Sequence, residues 1–150
     1  PQLFLGITFN YGLILGWTSI ESEINLIPII LYIGAIFWTL GYDTIYGYQD
    51  INDDEIIGVK STSIKFKDNP KKFLFICYSI TTIAYLYVGQ IMSVNYLYYV
   101  GSIILIYHLF FFQLKRFNPK NVNNCLKIFK SNNLFGLIIL FFIFLGKINI

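Results

Sequence analysis

The stretch YDTIYGYQDINDDEIIGVKSTSIKF, Tyr42–Phe66, follows a long apolar run that ends with Trp38, Leu40 and Tyr42. It holds five of the chain's eight acidic residues: Asp43, Asp50, Asp53, Asp54 and Glu55. Carboxylates this close repel one another, and a chain that keeps them together ordinarily gives them a cation to bind. Lys60, Lys65 and Lys67 come next. Acids followed by lysines, at the end of a greasy segment, point to a metal ion together with a phosphorylated ligand.

The rest of the 150 residues says what surrounds that stretch. The chain is 56% hydrophobic and only 13% charged, against roughly 25% charged residues in soluble domains. Its mean hydropathy is +0.62. The fold class is therefore all-α, an integral membrane helical bundle; the runs are continuously apolar, without the alternation of a membrane β-barrel. Five runs approach the roughly 20 residues that cross a bilayer as a helix: about 3–20, 24–42, 73–94, 96–114 and 134–150. They form one transmembrane domain with a site loop at 43–72. Cys77 and Cys125 have no partner nearby in sequence, which excludes a disulfide scaffold. The net charge of +3 reads as a topology signal rather than a nucleic-acid one.

Ten of the 11 Lys and Arg residues lie in two connections, Lys60–Lys72 and Lys115–Lys130. Two spans separate these connections, so both fall on one face, the cytoplasmic one by the positive-inside rule. The acidic cluster lies on that face too. Pro1 then enters from the cytoplasmic side and Ile150 ends on the far side.

Asp50 and Asp54 are four apart, which on a helix brings their Cβ atoms to roughly 5–6 Å. Asp43 lies two turns earlier on nearly the same face, and Asp53 flanks Asp50. Two carboxylates at this spacing suit Mg²⁺, a hard cation typically held by one or two carboxylates plus substrate phosphates. Gly58 is placed to end such a helix, after which Lys60, Ser61 and Thr62 would offer a charge and hydroxyls to phosphate oxygens. Each reading has a plainer counterpart. Acids four apart also occur on solvated helices, and Lys65, Lys67, Lys71 and Lys72 read as topology determinants. Trp38, Tyr42, Tyr46 and Tyr48 read as anchors at the lipid interface, His108 as a neutral hydrogen-bonded histidine. Asn132 and Asn133 read equally as a helix cap or a substrate contact, and Cys125–Lys130 as a short interfacial helix.

The runs Tyr42-Asp43-Thr44, Asp50-x-x-Asp53-Asp54 and Ile57-Gly58-x-Lys60-Ser61-Thr62 resemble the second aspartate-rich motif of the UbiA-type membrane prenyltransferases. The nearest subgroup is the 4-hydroxybenzoate polyprenyltransferases of ubiquinone synthesis. The likeness extends to Pro1-Gln2 and Leu5-Gly6, and to Cys125, Phe129, Asn132-Asn133 and Gly136. It implies a nine-helix fold, Mg²⁺ as cofactor, a polyprenyl diphosphate donor and 4-hydroxybenzoate as acceptor. It makes Asp50 and Asp54 the metal-bridging pair, Asp43 a catalytic carboxylate, and Lys60, Asp53 and Tyr46 substrate contacts. The implied location is the bacterial or mitochondrial inner membrane, with the site loop on the cytoplasmic or matrix side. The family's first aspartate-rich motif, of N-D-x-x-D-x-x-x-D type, has no counterpart here. With a start at Pro1, this predicts the C-terminal part of the enzyme, inactive until the N-terminal half joins it. The other readings are a relative with a haem, naphthoate or phosphosugar acceptor, and a transporter subunit with a divalent-cation site. Transporters place polar groups near the midplane, whereas these acids lie at one edge of nearly charge-free spans.

Overall fold

A computed structural model describes residues 1–21 and 23–148. Every regular element in these residues is helical. They are α1 (Gln2–Thr18), α2 (Leu26–Tyr46), α3 (Ile51–Ile57), α4 (Thr62–Lys65), α5 (Pro70–Ile91), α6 (Tyr96–Ile106) and α7 (Val122–Gly146). A π-wound extension, Tyr107–Leu114, continues α6. Local chemistry sets the starts. The Asn25 and Asn95 side chains accept from the backbone N–H of Ile27 and Leu97, satisfying donors that a first turn leaves unpaired. Pro70 opens α5, where a missing N–H does no harm.

Four helices are long and apolar enough to cross a membrane: α2, α5, α6 with its extension, and α7. The fifth expected run, 3–20, falls on α1, which has 17 residues. At 1.5 Å per residue that is about 25 Å, short of a hydrocarbon core of about 30 Å. The last expected run, 134–150, differs most. Its final two residues lie outside the described ones, and its helix begins at Val122. Cys125–Lys130 is thus no separate interfacial helix but the first turns of α7. Asn132 and Asn133 sit inside that helix, and Asn121 is its cap, accepting from Asn124 N–H.

α2 is the central element, packed against α1, α5 and α7, while α6 packs on α5 and α7. Lipid tails are as apolar as leucine, so close packing and interhelical hydrogen bonds must hold such helices together. At Gly34 a Cβ would lie 2.8 Å from that of Ala84, and beside this approach the Thr81 hydroxyl of α5 donates to the Gly34 carbonyl of α2 at 3.0 Å. Asn10 of α1 donates to Thr39 of α2 at 2.8 Å. Large apolar side chains such as Phe4, Ile83, Ile103 and Leu137 face outward, as a lipid-bathed bundle requires.

Both basic connections lie at one end of the bundle. The ring of Tyr48, after α2, meets that of Phe117, before α7, at 5.3 Å. Gln2 is at this end too, accepting from Thr62 N–H at 2.9 Å. At the opposite end, Asn95 N–H donates to Gly146 O at 3.0 Å.

Candidate functional site

The acidic stretch folds in three pieces. Asp43 lies in the last turn of α2. Residues 47–49 form a turn, and Asp50 is the N-cap of α3. Four residues span at most about 14 Å, which bounds the distance from Tyr46 to Asp50. Asp54 N–H donates to Asp50 O at 2.8 Å, so the two acids are one helical turn apart on α3. Gly58 ends α3 with φ 75°, the left-handed conformation in which glycine carries no steric penalty. The Lys67 ammonium donates to Glu55 at 2.7 Å and ties the far end of α3 to the residues after α4. That hydrogen bond, with the Glu55 charge, holds the Lys67 pKa above its ordinary value.

Among the described residues, the carboxylates of Asp50, Asp53 and Asp54 and the ammonium of Lys60 make no hydrogen bond or ion pair. They remain available to an outside partner. This donor set fits a hard cation that takes two carboxylates from the protein and its other oxygens from a ligand and water. It is not an all-protein cage, since no three His, Cys, Asp or Glu residues converge among the described residues.

The hydroxyls expected to meet phosphate are committed elsewhere. Ser61 is buried and caps α4, accepting from Ile64 N–H. Thr62 bonds to Thr44 at 2.6 Å, and Ser63 donates to Thr44 O at 2.8 Å. The Lys-Ser-Thr-Ser run therefore clamps α4 onto the end of α2, and Lys60 alone points away from the clamp, exposed.

Below the acids, a cavity of about 410 Å³ opens between α1, α2 and α7. Asp43, Asn10 and Asn133 supply polar groups to its wall, Phe9, Tyr42 and Phe129 apolar ones. Asp43 is half-buried there; Tyr46, Asp50 and Asp54 are not on the wall. Trp38, Tyr42 and Tyr46 recur every fourth residue of α2, so they share one face. Phe129 of α7 meets the Tyr42 ring at 5.7 Å and the Tyr46 ring at 4.4 Å. Trp38 and Tyr42 are thus inside the bundle and not at the lipid interface, and Tyr48 is buried against Phe117. Among the described residues the Tyr48 hydroxyl has no hydrogen-bond partner, and burial pushes its pKa up to about 12.

A chain of hydrogen bonds crosses the bundle behind this wall. The Tyr78 hydroxyl donates to Gln113 at 2.6 Å, Gln113 to Asn132 Oδ1 at 2.8 Å, and the Trp38 indole N–H to the same oxygen at 2.9 Å. The Asn132 amide N–H groups donate to Ile128 O and Phe129 O. Asn132 is therefore fully engaged in fixing Trp38, while Asn133, one residue on, lines the cavity and makes no side-chain hydrogen bond among the described residues. Sequence reasoning passed over Gln113 and Tyr78. The available signal was a glutamine inside an otherwise apolar span, where an unpaired amide is costly. His108 lies off this site, stacked on Phe135 at 3.9 Å with Ser131 3.4 Å away.

Residues 1–145 match the sequence pattern of the UbiA prenyltransferase family. The chain is 36% identical over 149 residues to "4-hydroxybenzoate polyprenyltransferase, mitochondrial" of Dictyostelium discoideum, covering 99% of this chain and 32% of that protein. The proteins of that name from Drosophila melanogaster and Homo sapiens are 38% and 34% identical, again over 99% of this chain and over 38% and 40% of theirs. The chain thus spans about a third to two fifths of the length of the relatives it matches. No solved structure matches it.

Proposed function

Since the chain belongs to the UbiA prenyltransferase family, we propose that it carries part of the site at which a polyprenyl group passes from its diphosphate to 4-hydroxybenzoate, as in ubiquinone synthesis. One observation carries the reading: uncommitted Asp50 and Asp54 sit above a cavity whose wall joins one carboxylate, the Asn133 amide and aromatic rings. The names of the relatives supply donor and acceptor. The acceptor alternatives, haem, naphthoate and phosphosugar, find no such support.

Asp50 and Asp54 would hold Mg²⁺, whose charge, when bound, offsets that of the leaving diphosphate. Lys60 and Asp53 flank that position, Lys60 adding positive charge for phosphate oxygens. The donor's allylic C–O bond breaks with its electron pair going to diphosphate, and the allylic carbon bonds to a ring carbon of the acceptor. Asp43 accepts the proton that the ring then loses. Tyr42 and Phe129, on the cavity wall, would offer aromatic rings to the allylic cation, each worth about 0.5–2 kcal/mol, with Tyr46 packed behind Phe129. Enclosure between helices keeps water from that cation. A second set of carboxylates from the rest of a longer protein would complete the diphosphate site. With ten of the 11 Lys and Arg residues in its connections, this end of the bundle would face the cytoplasmic or matrix side of an inner membrane.

The test uses the whole protein that contains this chain. Asp50→Ala and Asp54→Ala should each lower Mg²⁺-dependent transfer to 4-hydroxybenzoate in membranes by about a hundredfold or more, with insertion unchanged. Near-normal turnover in both variants would sink the metal reading.

A further inference from the structure

A second cavity, about 240 Å³, is a groove between α6 with its extension and α7, away from the site above. Two of its lining residues, Tyr107 and Leu134, are exposed, so it opens sideways toward lipid. Flat rings are piled along it: His108 stacks on Phe112 at 5.2 Å and on Phe135 at 3.9 Å. His108 and Ser131 face each other at 3.4 Å, and the Ser131 hydroxyl donates to Ile128 O. The wall farther from the basic end, at Ile104, Leu134 and Ile138, is purely apolar.

Three cations stand at the basic end of this groove. Along α6, Ile104, His108 and Phe112 recur every fourth residue, and Arg116 is the next step of that row. Its guanidinium lies over the Phe112 ring, 5.0 Å from the centroid. Along α7, Lys127 and Lys130 lie one turn toward the basic end from Ser131 and Leu134. All three cations are exposed and make no ion pair among the described residues. No Asp or Glu follows Asp68 in the chain, so neither helix can supply a counter-charge. The other basic connection differs, since Lys67 there is paired with Glu55.

We propose that this groove holds one anionic phospholipid, with its phosphate at Arg116, Lys127 and Lys130 and an acyl chain laid along Phe112, His108 and Ile138. Charge and shape both choose this occupant. A guanidinium meets a phosphate with two parallel N–H donors, and basic pockets between membrane spans take the head groups of anionic lipids. A zwitterionic lipid would bring its own cation to a place that already has three. A further helix is the poorer fit. Close helix contacts in membranes use small residues, as Gly34 does against Ala84, whereas this wall has neither glycine nor alanine. Topology alone calls for positive charge at this end of the bundle, but not for its gathering over one groove. The lipid would bind whether or not the protein transfers prenyl groups.

For the test, the whole protein that contains this chain is purified in detergent. Native mass spectrometry then reads the lipid retained from equal additions of phosphatidylglycerol and phosphatidylcholine. Wild type should hold one phosphatidylglycerol about tenfold or more tightly than phosphatidylcholine. Each cation near a membrane surface gives about a fivefold gain for anionic lipid, so Arg116→Gln/Lys127→Gln should remove most of that preference. Lys71→Gln/Lys72→Gln takes the same charge from the same end of the bundle, off the groove, and should leave the preference unchanged. Leu134→Trp fills the groove with its cations intact and should lower phosphatidylglycerol retention several-fold. If that variant does not fold, the glutamine pair at exposed Arg116 and Lys127 carries the test. Equal losses from the two glutamine pairs would mean diffuse interfacial charge and would overturn the groove. A wild type with no preference for phosphatidylglycerol would overturn it too, as when a helix from the rest of a longer protein fills the space.

Discussion

Asn132 and Tyr48 are both buried polar residues, and the physics sends substitutions at them in opposite directions. Asn132 joins four hydrogen bonds linking α2, α6 and α7. Replacing it with leucine strands the Trp38 and Gln113 donors. Single interhelical bonds in membranes are worth only about 0.6 kcal/mol on average, but the loss of two at once, with both donors left in an apolar place, should cost about 2 kcal/mol. Tyr48 keeps its ring against Phe117 while its buried hydroxyl has no partner among the described residues. Tyr48→Phe removes that unmet demand and should raise stability by up to about 1 kcal/mol. Thermal melts of the detergent-purified protein check both. A lower melting temperature for Tyr48→Phe would mean that the hydroxyl has a partner after all. Asn132 also marks where residue-level reading stopped. Its neighbours Trp38 and Gln113 are 94 and 19 positions away, and spacing along a chain carries no trace of them. Thr62 misled for the same reason: its hydroxyl looks available until Thr44 arrives from another element, whereas Ser61 is taken locally, by Ile64 N–H of its own helix.

α3 is seven residues long and has no buried residue, so little but its ends holds it in place. The exposed Lys67–Glu55 pair adds little, and less at high salt. Gly58 then matters more than its size suggests. A side chain in the left-handed conformation costs about 1–2 kcal/mol, so Gly58→Ala should fray the last turn of α3 and loosen Asp54 against Asp50. If α3 holds the Mg²⁺ of the proposed prenyl transfer, the Mg²⁺ concentration for half-maximal transfer by the whole protein should rise several-fold, whereas Lys67→Ala should move it less. A Gly58→Ala enzyme with an unchanged Mg²⁺ requirement would show that α3 is not the metal-holding element. Elements were the most legible part of the sequence, because four continuously apolar runs can do little but span. The glycine stop of α3 was legible too. The start of α7 was not: Lys127 and Lys130 break the apolar run, and a helix that extends past the hydrocarbon has a polar first half.

At the scale of the molecule, the two basic connections share one end with Gln2 and the acids, and the turn after α1 lies at the other. Cysteines introduced beside Lys67 and Lys120 should react with an impermeant maleimide from the same side of a sealed membrane, and one beside Glu21 only from the opposite side. Cys77 and Cys125 are buried and should stay silent. Labelling of the Glu21 and Lys120 positions from one side would refute this arrangement. Charge placement made this end of the bundle readable without coordinates. The cavities were not, because each is made where helices distant in sequence fail to fill the space between them, and apolar residues alone do not say where a gap falls.

The π-wound stretch Tyr107–Leu114 behaves like a one-residue insertion accommodated without a loop. Gln113 reaches Tyr78 and Asn132 from the register that this extra residue creates. Removing one residue upstream within it, such as Phe111, would let the backbone return to α winding. Everything before the deletion would then be turned by about 100° relative to Gln113, and either the α6 packing or the amide chain would have to give way. In this span, length and function are therefore coupled: a side-chain change is absorbed locally, but a single-codon deletion is not.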